Sequence, residues 1–193
     1  MDTDELFLAS DAALRSVVDR IDPADLDRPA PPAWSQTPDP TFRDILAAHA
    51  YDEAWVPRVL EGRSAADGDD LKDTDLLGED PVGAYDALND AATAAVRRGV
   101  EPDAVFRFTY GDVPAAEGFA HLATYRAFQA WLVAKELGIP FHLSPELVAG
   151  LEEHVVPQAD MWRQWGVFPP AIEPPAGADE ETRLLCAVGH WEP

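Results

Sequence analysis

Apolar residues recur along this chain at the three- and four-residue spacing of a helix face, not the two-residue spacing of a strand. In the first segment, about Asp4 to Ile21, Leu6, Phe7, Leu14, Val17, Val18 and Ile21 form one stripe. Asp2 with Glu5 three residues on supplies a capping pair. Asp22 to Pro40 carries six prolines and reads as an extended connection, with Trp34 as its anchor into the core. Thr41, with Asp44 three residues on, opens a second helix that runs to about Glu61 before Gly62. Its stripe is Ile45, Leu46, His49, Trp55, Val56 and Leu60, and Pro57 is expected to kink its last turn.

The remaining elements follow the same logic. An alanine-rich helix is predicted from about Pro81 to Arg98, stopped by Gly99, and a longer one from about Pro114 to Leu137, capped by Gly138 with Pro140 beyond. Ser144-Pro145-Glu146 begins another, continuing to Trp165 with a bend at Pro157. After a proline-rich stretch, a short helix covers about Asp179 to Val188. Only Val105 to Tyr110 alternates in the manner of a strand, too short and isolated to found a sheet. These elements predict a mainly all-α fold, an up-and-down four-helix bundle with extra short helices and a minor extended segment. The whole chain, residues 1–193, reads as a single domain with an acidic loop over about 63–80 and a C-terminal extension over about 167–193.

Charge narrows the partners. Asp and Glu number 36 against 14 Lys and Arg, a formal net charge of −22. Such a field repels phosphate backbones and anionic headgroups, so neither nucleic acid nor a membrane surface is expected as partner. The single cysteine, Cys186, allows no internal disulfide, the N-terminus is acidic where a signal peptide would be basic, and no apolar run reaches the length of a membrane span. A cytoplasmic location is expected.

Candidate chemistry is sparse. The acidic loop holds Asp73, Asp75 and Gly78, but Leu77 and Ala84 occupy calcium-ligand positions, so it reads as a solvated loop. His49 lies in the middle of an apolar helix face with Glu53 one turn later. A lone histidine there is ordinarily a core-edge residue satisfied by one hydrogen bond, and the alternative is a metal ligand or base with partners from other helices. His121, Tyr125 and Gln129 form a polar line along the fourth long helix, with Arg126 beside it, either a seam between amphipathic faces or a pocket wall. His142, His154 and His190 read as surface histidines, and Cys186 as a small buried hydrophobe with nothing cationic beside it.

Three stretches resemble the DinB-like bundles that include the N-terminal domain of mycothiol-dependent maleylpyruvate isomerase. Phe42-Arg43-Asp44-Ile45-Leu46-Ala47-Ala48-His49 is similar to that family's helix ending in its first metal-binding histidine. Ala130-Trp131-Leu132-Val133-Ala134-Lys135-Glu136-Leu137-Gly138 is similar to its Trp-Asp-Leu-Ala-x-Ala-x-Gly stretch. Trp165 through Ile172 and Leu184 through Gly189 resemble the closing segment of a sub-branch. The resemblance implies a divalent metal, commonly zinc, held by three side chains, and in the enzymes a low-molecular-weight thiol activated as thiolate. It carries His49 over as a metal ligand. The family's other two ligands, a Glu and a His four apart, fall on Tyr125 and Gln129, and the aspartate after its tryptophan falls on Leu132. His121 lies eight residues from Gln129, about 12 Å along a helix, and does not replace the missing histidine without a shift.

Three functions are therefore expected, with the missing ligands favouring the first and third below over the second. The first is a small-molecule binder with a degenerate metal site, zinc weak or absent, and a central pocket using Tyr125, Gln129, Arg126 and Glu53. The second is a metal- and mycothiol-dependent transferase or isomerase built around His49. The third is a non-catalytic structural or interaction protein, of which a homodimer is one form.

Overall fold

The computed structural model describes residues 1–63, 70–72, 74–101, 103–108 and 110–191. It is mostly helical. In chain order the elements are α1 (Thr3–Val18), α2 (Phe42–Leu60), α3 (Pro81–Arg97), a hairpin of β1 (Val105–Phe108) and β2 (Gly111–Pro114), α4 (Ala115–Leu137), α5 (Pro145–His154), α6 (Ala159–Gln164) and α7 (Glu180–Val188), with short 3-10 turns between some of them. Asp73, one of the candidate calcium residues, and much of the expected acidic loop lie outside the described residues.

The local causes are those of the sequence pattern. Thr41 caps α2 in a reciprocal box, its hydroxyl accepting from the Asp44 N–H while Asp44 accepts from the Thr41 N–H at 2.8 Å. Asp80 with Pro81, Ser144 with Pro145, and Asp179 open α3, α5 and α7, each cap side chain accepting from a first-turn N–H. Glu5 accepts from the Asp2 N–H at 3.3 Å at the start of α1. Pro57 sits inside α2, which continues to Leu60. The predicted long fifth helix is instead two, α5 and α6, divided by a 3-10 turn at Val156–Gln158, because Pro157 has no N–H to continue the ladder. The weak alternation at Val105 finds a partner that the sequence reading missed, Gly111–Pro114, in antiparallel register from Val105 opposite Pro114 to Phe108 opposite Gly111. Trp34 is half-buried and packs edge-on against Phe42 at 6.1 Å.

Two compact units make up the chain: Met1–Leu14 with Phe119–Pro193, and Arg15–Gly118. The first is built on α5, α6 and α7 with parts of α1 and α4, around Leu6, Ala123, Phe128, Leu147, Leu151, Trp162 and Leu184. Burying each large apolar side chain there contributes about 1.5–3 kcal/mol. Phe7 meets Phe119 at 5.4 Å and Asp11 meets Arg126 at 3.0 Å, so α1 and α4 advance in the same direction. Gly189, in the left-handed region at φ +79°, ends α7 and lets the His190 N–H donate to the Leu185 carbonyl at 2.9 Å. That turn carries His190 between Phe128 (5.5 Å) and Phe168 (5.8 Å), so it is a half-buried packing residue and not the surface histidine expected.

In the second unit, α2 and α3 run the same way. Arg43 at the start of α2 donates to the Gly78 carbonyl, just ahead of α3, at 2.7 Å; Arg107 of β1, which follows α3, donates to the Gly62 carbonyl, just past α2, at 2.8 Å. Sequential helices on short loops are antiparallel neighbours. Here the residues between Leu60 and Pro81 form a connection long enough to return the chain, so the simple up-and-down alternation expected does not hold for this pair. The last turn of α1 packs against α3, where Arg15 reaches both Asp86, at 3.3 Å, and Asp90. Phe106 packs directly over Gly118 at the start of α4, where an added Cβ would collide with its ring.

Two outcomes are expected. Burial among aromatic rings lowers the His190 pKa from 6.5 to about 4. The folded-state value lies below the unfolded one, so the unfolded chain binds the extra proton between those pH values and stability falls as pH drops through that window. The loss approaches about 3 kcal/mol, and thermal melts of His190→Phe should show a shallower decline between pH 6.5 and 4 than wild type. Gly118→Ala should cost about 1–3 kcal/mol in denaturant unfolding by forcing Phe106 off its site, and Phe106→Leu should recover part of it.

Candidate functional site

The α2 stripe that builds the core of the second unit also carries polar groups into it. His49 and Glu53, one turn apart, are 1% and 0% exposed. Tyr85 of α3, also 0% exposed, donates its hydroxyl to Glu53 Oε1 at 3.3 Å. One turn further along α3, Asn89 is buried, and its Oδ1 accepts from Arg15 Nη1 at 3.4 Å. Removing a carboxylate from water costs several kcal/mol unless hydrogen bonds replace its hydration. Apolar residues at these positions would pack α2 against α3 without that cost. Chemically the group combines a carboxylate acceptor, a phenol donor and an imidazole within two helical turns, a set able to hold a polar ligand by hydrogen bonds.

Whether it can hold zinc depends on the donors. A protein zinc site needs three or four converging Cys, His or carboxylate ligands. His49 and Glu53 offer two, and among the described residues no group of three or more His, Cys, Asp and Glu side chains is arranged to hold a metal ion. The donor set near His49 does not match the centre that the family resemblance implies, and two ligands give no basis for a step through a metal.

The candidates on α4 fall in the first unit. Arg126 is 0% exposed, and its Nε donates to Asp11 Oδ1 at 3.0 Å, with Asp11 equally buried. The guanidinium lies 4.9 Å from the Phe7 ring. It is therefore engaged in a buried ion pair inside the unit. Gln129 is buried, while Tyr125 is 36% exposed. His121 lies edge-on to Trp162 at 5.2 Å. His142 contacts Glu181 at 2.8 Å, and Glu181 also accepts from the Leu143 N–H at 2.7 Å, tying the loop before α5 to α7. His154 donates to the Met1 carbonyl at 2.8 Å. Burial pushes the Cys186 thiol up, which leaves it a poor nucleophile.

Sequence reasoning missed Tyr85, Asn89 and Asp11. Tyr85 and Asn89 are four apart on a helix otherwise rich in alanine, and that spacing was the available signal. Asp11 sits between Phe7 and Leu14 on the apolar stripe of α1, an acid where the pattern calls for a hydrophobe, which itself announces a buried partner.

No family model matches the chain, and neither a curated protein nor a solved structure matches it.

Removing one member of a buried ion pair leaves the other charged and desolvated. Arg126→Met is expected to destabilise the protein by about 3–5 kcal/mol in chemical unfolding, and the double change Asp11→Leu with Arg126→Met to recover most of that loss.

Proposed function

We propose that this chain is a DinB-like helical protein that binds a small polar molecule at His49, Glu53 and Tyr85 and does not depend on zinc. The observation that carries the reading is the buried set on α2 and α3, with the Tyr85 hydroxyl on Glu53 at 3.3 Å. A fold that needed only packing has no use for an imidazole, a carboxylate and a phenol at adjacent core positions. A ligand with complementary donors and acceptors gives those groups a purpose. Tyr125 and Gln129, which stand where the family resemblance implies a carboxylate and a histidine, are weak zinc ligands and do not offset the ion's charge.

The transferase or isomerase reading requires that metal, and through it an activated thiol. The interaction-protein reading requires no ligand at all. Protein purified without chelators or nickel resin separates the three. Zinc analysis should give well below one equivalent per chain, and calorimetric titration with zinc chloride should show no binding tighter than about 1 µM. A thermal-shift screen of uncharged and cationic polar metabolites, with mycothiol included, should yield stabilising compounds. Their effect should fall at least tenfold in apparent affinity, about 1.4 kcal/mol, on Glu53→Gln. One equivalent of zinc that disappears on His49→Ala would move the thiol-dependent enzyme to first place. A screen without hits on metal-free protein would favour the interaction protein.

A further inference from the structure

The connection between α6 and α7 belongs to the Met1–Leu14 and Phe119–Pro193 unit, apart from the His49–Glu53 set, and nothing about it depends on that set. Its centre, Pro169-Pro170-Ala171-Ile172-Glu173-Pro174-Pro175, forms no helix, strand or turn, and every one of these residues is exposed. Local sterics fix its shape. A proline holds its own φ at about −65°, and the residue before a proline is pushed out of the helical region toward polyproline II. Pro169, Pro170, Glu173, Pro174 and Pro175 each fall under one of these rules or both. The strip is also seated on its unit. Ahead of it, Phe168 is buried against Trp162 at 5.6 Å and Phe128 at 5.7 Å. The Ile172 N–H donates to the Cys186 carbonyl of α7 at 2.9 Å, and the Ala178 N–H donates to the Pro175 carbonyl at 3.1 Å. Gly189 lies so near the Pro169 and Pro170 carbonyls that an added Cβ would stand 2.9 and 2.5 Å from them. A strip already held in one extended shape costs a partner little to order.

Apolar exposure gathers at the same place. Four of the eight exposed large apolar side chains among the described residues, Met161, Trp165, Val167 and Ile172, lie between positions 161 and 172, with Trp165 at 66% and Val167 at 54%. This stretch therefore has more to gain from being covered than any other of its length.

The chemistry of the strip selects the kind of partner. A partner that adds a strand needs a row of free N–H groups, but the prolines have none and that of Ile172 is engaged. A groove that reads a helix needs a helix. At three residues per turn, Pro169, Ile172 and Pro175 share one edge, Ala171 and Pro174 the second, and Pro170 and Glu173 the third. Apolar ridges of this kind fit an aromatic-lined groove, the mode by which SH3 and WW domains read proline-rich chains. Charge sets the rim. Glu173, Asp179 and Glu180 are all exposed, and Arg183, which meets Glu180 at 3.9 Å, leaves an excess of acid in a chain of net charge −22. Cations around the groove would complement that excess, whereas a second copy of this chain would bring the same acids to the face.

We propose that residues 169–175, with Trp165 and Val167 just ahead of them, form a preformed polyproline II ligand for a partner protein whose groove is aromatic and whose rim is basic. The groove takes the two apolar edges, the rim meets Glu173, and the Trp165 ring extends the contact.

Biolayer interferometry of the intact chain against purified SH3 and WW domains, in one set with basic rims and one with acidic rims, tests this. At least one basic-rimmed domain should bind saturably and more weakly as salt rises, and the acidic-rimmed set should not bind. Pro170→Ala with Pro174→Ala, and separately Trp165→Ser, are changes at exposed positions. Each should weaken that binding about fivefold or more with the thermal melt unchanged. Glu173→Lys should weaken it more at low salt than at high salt. Binding by no domain of either set overturns the proposal, as does binding that survives the paired proline substitution. A dimer in sedimentation that Trp165→Ser dissolves would assign the face to a second copy and overturn it as well.

Discussion

Asp11 and Arg126 are each fully buried, and each sets a charge against the other's. An apolar contact between two helices can slide by a turn and still bury its area, since one leucine replaces another. A desolvated carboxylate and guanidinium cannot, because a slip of one turn, about 5.4 Å, leaves both charges uncompensated. The pair therefore fixes α1 against α4 within the Met1–Leu14 and Phe119–Pro193 unit, and Phe7 closes over the guanidinium at 4.9 Å. The packing of Leu6 on Gly150 follows from that register. An added Cβ at Gly150 would stand 2.8 Å from a Leu6 methyl, so α5 approaches α1 as closely as it does only because that position has no side chain.

The Arg15–Gly118 unit obeys the same demand with different groups. Arg15 engages Asp86, Asp90 and Asn89 of α3, and Glu53 of α2 engages Tyr85 of α3. α3 is thus tied by polar contacts to both α1 and α2. The parallel course of α2 and α3 needs a long return, and the acidic connection after Leu60 supplies it, with Arg43 and Arg58 anchored to it at Gly78 and Asp70.

Most of the helices were legible in the sequence because each has a cap, a period and a stop that agree. Thr41 with Asp44, Ser144 with Pro145, and Gly189 after Val188 are local signals whose physics is complete within a turn of chain. What was not legible depends on residues distant in sequence. β1 reads as a lone extended piece because three of the four residues of its partner, Gly-Asp-Val-Pro, are disfavoured in strands and the pairing shows only in the hairpin register. His190 reads as a tail residue until Gly189 turns it between two rings. Of the candidate site, His49 and Glu53 were visible as a polar interruption of an apolar stripe. Arg126 was visible too, but its role turns on Asp11, 115 residues away.

The contrast between Arg126 and Glu53 separates a structural tie from a binding surface. Arg126 with Asp11 accounts for itself: opposite charges, good geometry, full burial, and a register to maintain. The Glu53 contact with Tyr85 is a different device, because a phenol at 3.3 Å donates one hydrogen bond and brings no charge to set against a carboxylate. The chemistry of the α2–α3 set is also broader than a tie requires. A guanidinium only donates and an ionised carboxylate only accepts, so each matches one kind of group. An imidazole and a phenol each donate and accept, and with a carboxylate beside them they can match a molecule that presents either kind of group. The two pairs differ on chemical grounds: the Arg126 pair joins opposite charges, and the α2–α3 contact joins a carboxylate to a phenol.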